Sequence, residues 1–204
     1  QRMIASTKHR GPDQDGYFCD EDISLGSARL SINDLSENGR QPIWNEDKSI
    51  AVLLNGEIYN FKELQEDLKK RGHKLQSNTD TEVVVHMYED YGIKCLDYLN
   101  GIFGLAIWDK NKKELFLARD RAGVKPLYYY FDGKKFIFSS EIKAILNHNI
   151  SRQLEERALG LYFKLFYVPG PLTLFKNILK LKPAHYIIYK DNKISINRYW
   201  DIED

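Results

Sequence analysis

Residues 49–61 read SIAVLLNGEIYNF, an apolar run that meets an Asn-Gly pair and changes character within a few residues. Asn-Gly between apolar residues is a strong hairpin signal, so Asn55-Gly56 could simply turn one strand back on another. The residues after it argue otherwise. Phe61, Leu64 and Leu68 recur at helical spacing, Asn60 is placed to cap that helix with Glu63 three residues on, and Gly72 is placed to stop it. The stretch therefore predicts a strand over 49–54, a short loop, and a helix over 61–71. An Asn-Gly-Glu at the end of a buried strand is what needs explaining.

The surrounding chain limits the answer. With 204 residues, 43% hydrophobic and 13% aromatic, it can bury a full core. A formal charge of +1 gives no electrostatic reason to expect nucleic acid or an anionic membrane as partner. No apolar run approaches the roughly 20 residues of a membrane span. The two cysteines, Cys19 and Cys95, lie far apart without metal-like spacing, which fits free thiols in a reducing cytoplasm. The first residue is Gln1 rather than Met, so a natural start missing from the sequence is expected.

Further strands are predicted over 23–32, 103–109, 114–119, 126–131 and 135–138, and a second helix over 81–91. Short loops between successive strands favour an antiparallel sheet. Thr79 and Glu82 have capping-box spacing for the second helix, and Asp80 falls in its first turn, where the helix dipole favours any acid. Beyond 148 the texture changes. A helix over 153–166 is followed by the aromatic, proline-rich YVPGPLTLF and a hairpin, 185–189 with 193–199, around Asp191-Asn192. The division expected is a domain over 1–148 and a helix-plus-hairpin extension over 149–204.

HRGPDQDG at 9–16, GSARLSI at 26–32, NGEIYN at 55–60, SNTDTEVV at 77–84 and ARDRAGVKPLYY at 118–129 occur in this order. Together they resemble the N-terminal glutaminase domain of glutamine-hydrolysing asparagine synthetases, a class II glutamine amidotransferase. Any one motif alone is weak; the ordered set is specific. The resemblance implies an α+β fold of the N-terminal-nucleophile hydrolase type, an αββα sandwich of two mainly antiparallel sheets. The tail and the closing RYW resemble the segment that leads to the ATP-dependent synthetase domain in that family.

The resemblance gives the opening stretch a task. A thiol attacks the glutamine side-chain amide, and the Asn55 amide with the Gly56 N–H form the oxyanion hole for the charge that develops. Arg29 would take the α-carboxylate, with Glu57 and Asp80 on the α-ammonium. Taken singly, Asn55-Gly56 also suits a plain turn and Arg29 a surface strand. Arg10, Asp13 and Gly16 read as loop-shaping residues near the pocket. Arg119, Asp120 and Lys125 read as an ion network holding an inter-strand turn.

The family's nucleophile is an N-terminal cysteine whose own α-amine acts as base. Neither Cys19 nor Cys95 stands at that place in the motif order, so the nucleophile is expected outside the sequence, which as given should be inactive. No metal or organic cofactor is expected for this half; ATP and Mg²⁺ belong to the synthetase half. The partners implied are glutamine and that second domain, with a homodimer as a further option. The alternatives are the glutaminase half of another amidotransferase, or a non-catalytic interaction domain of the same fold.

Overall fold

The strand that starts near Ser49 does not stop at Leu54. It runs Ile50–Ile58 and pairs antiparallel with Gly101–Asp109 along its whole length, so that Asn55, Gly56 and Glu57 stand in the ladder opposite Gly104, Phe103 and Ile102. The loop expected at Asn55-Gly56 is absent because the neighbouring strand extends just as far and is glycine-bearing there. A Cβ on Gly56 would lie 2.0 Å from the Ile102 carbonyl oxygen, and one on Gly101 2.2 Å from that of Glu57. Only glycine permits this approach.

The computed structural model describes residues 1–32 and 34–203. In its first half are α1 (Arg2–Thr7), β1 (Gln14–Cys19), β2 (Ser24–Arg29), β3 (Ile43–Trp44), β4 (Ile50–Ile58), α2 (Phe61–Lys70), α3 (Asp80–Tyr91) and α4 (Cys95–Tyr98). There follow β5 (Gly101–Asp109), β6 (Glu114–Arg119), β7 (Tyr128–Phe131), β8 (Phe136–Ser139), α5 (Ile142–Ile145), α6 (Glu156–Leu165), β9 (Ile178–Lys180), β10 (His185–Lys190) and β11 (Lys193–Arg198). One sheet has six strands in the order β11-β10-β6-β5-β4-β3; facing it are a three-stranded sheet, β8-β7-β9, and the β1-β2 hairpin.

The layers follow from strand alternation. Val52, Leu54, Leu105, Ile107 and Phe116 pack against Val83, Val84, Met87 and Leu96 of the helical layer. Ala51, Leu53, Ala106, Trp108 and Leu117 on the opposite face meet Leu25, Leu127, Tyr129 and Leu181. Beyond the second layer, Tyr130, Ile137 and Ile178 pack with Ile145, Met3 and Ile142 from α5 and α1. The order helix, sheet, sheet, helix is the αββα sandwich. Both faces of the large sheet are buried, which is why AVLL in β4 is apolar throughout rather than alternating.

Two sequence readings need correction. The stretch beyond 148 supplies β9 to the three-stranded sheet, and β10 pairs with β6, for example Ile187 with Leu117. Its hairpin is therefore part of the sandwich, and α6 with the loop after it is the peripheral piece. The other concerns helix ends. Thr79 accepts the Glu82 N–H, but the Glu82 carboxylate turns to the N–H groups of Gln76 and Ser77, both at 2.6 Å, instead of completing a capping box. Asn60 likewise makes no cap: its side chain donates to the Tyr98 carbonyl and accepts the Asn100 N–H. Among the described residues no helix is long and apolar enough to cross a membrane.

Candidate active site

Along β4 the residues that face the second layer are Ala51 and Leu53, then Asn55 and Glu57. The strand's inner face thus passes from apolar to polar as it leaves the core. It opens there into a cleft of about 1760 Å³ between the layers, lined by Arg29, Asn55, Gly56, Glu57 and Asp80 among others. All the residues assigned by resemblance to the oxyanion and to glutamine's two α-groups line this one cleft, although they come from β2, β4 and α3.

Asn55 Nδ2 is buried and has no hydrogen-bond partner among the described residues. A buried amide donor left unpaired is costly, of the order of 1–3 kcal/mol, and calls for an acceptor that the protein itself does not supply. The backbone beneath it is held from outside the strand. The Gln41 side chain accepts the Leu54 N–H, donates to the Leu54 carbonyl, and reaches the Thr81 hydroxyl at 3.2 Å. Gln41, buried, thereby joins β4 to the first turn of α3, and nothing in the sequence marked it. Its only trace there is its place before Pro42, ahead of the strand.

Asp80 is buried at the start of α3 and accepts the Ile58 N–H at 2.9 Å. Burial pushes its carboxyl above the ordinary value and the nearby Glu57 charge adds to this, against the lowering effect of the Ile58 hydrogen bond. Two acids close together in a half-dry site form a place for a cation. Arg29 lies on the β1-β2 hairpin. Its guanidinium donates to the Gln14 side-chain oxygen at 2.6 Å, the Ser31 hydroxyl at 3.2 Å and the Asp34 carbonyl at 2.6 Å. These acceptors are neutral. The Asp34 carboxylate is held down at about 2 by the Ser36 side chain first, then by the Asn78 and Ser36 N–H groups to which it is turned. Gly39 is what lets Arg29 sit there, since a Cβ at 39 would come within 2.5 Å of the guanidinium.

The remaining sequence candidates have structural work. Gly16 lies in β1 against the Gln41 carbonyl, where a Cβ would come within 1.7 Å. Asp13 accepts the Ser31 N–H, and Arg10 pairs with Glu141. Arg119, Asp120 and Lys125 do not form the expected ion network. Arg119 donates to the carbonyls of Lys125, Leu181 and Gly123, while Asp120 accepts the N–H groups of Phe103, Val124 and Lys125. The turn is held by side chain to main chain bonds, which satisfy the Gly123 and Lys125 carbonyls and the Val124 and Lys125 N–H groups.

The two cysteines differ in exposure and place. Cys95 is buried in the helical layer, and burial pushes its thiol up to about 12. Cys19 is exposed at the far end of the hairpin from Arg29, five register steps away, or about 17 Å at about 3.4 Å per residue.

A protein-family model described as a glutamine amidotransferase domain matches residues 1–200. Asparagine synthetases [glutamine-hydrolyzing] 3 and 1 of Bacillus subtilis are each 39% identical over 99% and 98% of this chain. Amidase chry2 of Gibberella zeae is 35% identical over 96% of it. The chain spans 33%, 32% and 29% of the length of these curated relatives. Among solved structures, a glutamine phosphoribosylpyrophosphate amidotransferase from B. subtilis superposes with a TM-score of 0.61 at 20% identity, over 86% of this chain and 34% of that one. That likeness concerns the fold. With the family match spanning the sandwich and the cleft alike, the chain belongs to the glutamine amidotransferase domain family.

Proposed function

We propose that the cleft binds glutamine and that its side-chain amide is hydrolysed there to glutamate and ammonia. The observation that carries this is the unpaired, buried Nδ2 of Asn55 in a cleft that is also lined by Arg29, Glu57 and Asp80. Glutamine has matching groups: an amide oxygen for Asn55 and the Gly56 N–H, an α-carboxylate for Arg29, and an α-ammonium for Asp80 and Glu57. A thiolate adds its electron pair to the amide carbon to form a C–S bond, and the carbonyl π pair moves to oxygen; Asn55 bonds most strongly to that oxyanion. The intermediate collapses by breaking C–N, ammonia leaves with a proton delivered to its nitrogen, and water then cleaves the thioester. The scheme takes its thiol from outside the 204 residues, because Cys95 is buried and Cys19, although it borders the cleft, stands at the opposite end of the β1-β2 hairpin from Arg29.

The acceptor of the ammonia is proposed to be an ATP-dependent synthetase domain that makes asparagine from aspartate. The names of the asparagine synthetases, aligned over almost the whole chain and about three times as long, support this reading. The exposed side chains of α6 and its cap, Phe163 at 71%, Phe166 at 85% and Tyr167 at 60%, offer that domain an apolar surface.

Calorimetric titration with L-glutamine, glutaramic acid (no α-amine) and 4-aminobutyramide (no α-carboxylate) tests the recognition. Binding of glutamine and clear losses for both truncated compounds are expected. Equal binding of all three would overturn the roles of Arg29 and Asp80.

A further inference from the structure

On the outer, helical side of the large sheet lies a second cluster of chemically able groups. Glu46 comes from the turn between β3 and β4, His73 from the connection after α2, and His86 and Glu89 from one face of α3. One ligand atom from each of the four lies within 4.8 Å of all the others. His86 is six residues beyond Asp80, about 9 Å along α3, so the cluster is separate from the amide cleft.

The distances are informative. His86 Nδ1 is 3.4 Å from Glu46 Oε2 and 3.5 Å from Glu89 Oε2; His73 Nδ1 is 3.6 Å from Glu46 Oε1 and 3.8 Å from Glu89 Oε2. These exceed the hydrogen-bond range of about 2.7–3.2 Å. Three of the four match the edges of a tetrahedron built on zinc–ligand bonds of about 2.0–2.2 Å, which are roughly 3.3–3.6 Å long; Glu46 faces the two histidines with different oxygens, so the set, 4.8 Å across, contracts on a bound ion. The outer nitrogens fit as well. His73 Nε2 meets Asp90 at 3.1 Å. His86 Nε2 is buried without a hydrogen-bond partner among the described residues, with the Glu82 carboxylate 3.9 Å away. Imidazoles whose far nitrogen faces a carboxylate while the near one faces a shared space are arranged as metal-binding histidines usually are, with an acid orienting the ring from behind. The His86 side chain is 1% exposed, whereas Glu46 and Glu89 are 37% and 33% exposed, which leaves an entry path for an ion. Two carboxylates and two neutral imidazoles would balance one divalent charge.

We infer that Glu46, His73, His86 and Glu89 form a tetrahedral structural site for Zn²⁺. Four protein ligands close the coordination sphere, so the ion ties the β3-β4 turn and the α2-α3 connection to α3 and takes no part in the amide chemistry. The expectation that amide hydrolysis needs no metal is untouched by this.

The test uses the chain purified without a polyhistidine tag, loaded with Zn²⁺, gel-filtered and analysed for metal, then titrated against a chromophoric chelator. One equivalent of zinc is expected, with tetrahedral d–d bands when Co²⁺ replaces it. His73→Ala and Glu89→Gln, at partly exposed positions, should each weaken Zn²⁺ by about tenfold or more. Circular dichroism checks that both variants fold, and added Zn²⁺ should raise the melting temperature of the wild type but not of Glu89→Gln. Absence of retained zinc in the wild type would overturn the proposal, and so would equal zinc affinity in folded variants.

Discussion

The side-chain amide of Gln41 brackets Leu54, accepting its N–H at 2.9 Å and donating to its carbonyl at 3.1 Å. It acts there as an additional strand residue at the edge of β4, directly before Asn55. Gln41→Ala leaves both buried main-chain groups unpaired. A loss of about 2–6 kcal/mol is expected, at about 1–3 kcal/mol per unsatisfied group. Urea denaturation measures it; a change below 1 kcal/mol would mean that water replaces the amide.

Asn55 and Arg29 should separate chemistry from binding. In a form of the protein that carries the attacking thiol, Asn55→Ala should lower kcat about 10²- to 10³-fold with little change in KM. Arg29→Ala should act mainly on KM, because the α-carboxylate is bound alike in ground and transition states. Ammonia release under initial-rate conditions distinguishes them, and matching effects on both parameters would contradict the assigned roles.

Asp80 links binding to pH. Its carboxyl is raised, mainly by burial, so the ionised form is disfavoured in the folded state, and the stability that goes with protonation is lost as pH rises through the raised value. At neutral pH the free domain therefore carries a destabilising charge. Asp80→Asn, which keeps an oxygen for the Ile58 N–H, should match or exceed the wild type in melting temperature near pH 7 while losing glutamine affinity. For the wild type, glutamine affinity should fall as pH is lowered through the raised Asp80 value, because the ammonium partner becomes neutral. Calorimetry across that range shows whether it does.

The apolar cap of α6 makes a prediction about association. Phe163, Phe166 and Tyr167 stand mostly in solvent, and a patch of this kind on an isolated chain favours self-association. Sedimentation velocity should show concentration-dependent association that Phe163→Glu with Phe166→Glu abolishes. A monomer at all concentrations would remove the patch as an interface.

The paired periodicities of the sequence carried most of the sandwich. Apolar runs marked β5 and β6 to within two residues, and the Thr79 cap fixed the start of α3. Three strands escaped notice for physical reasons. In β1, QDGYFC has one buried residue, Gly16, and reads as a loop; β3 and β9 are only two and three residues long. The strand end at Leu54 was misplaced because Asn-Gly is a turn pair in isolation, whereas here β5 continues to pair with it. The site residues were reached through ordered motifs. Gln41 was not, since a side chain that imitates a backbone leaves no period, and Glu46, His73, His86 and Glu89 are brought together only by folding.

The pairing of β10 with β6 has a consequence for synthesis. β10 lies between β6 and β11, and it matches Tyr186 to Ala118 across 68 residues of chain. While the polypeptide is being made, β6 emerges early and presents an open, apolar sheet edge until residues 185–190 leave the ribosome. Contacts of such long sequence separation close slowly, and unpaired edges attract other chains. The large sheet therefore cannot be completed from its N-terminal strands, and the interval before β10 arrives is when a nascent chain most needs a chaperone.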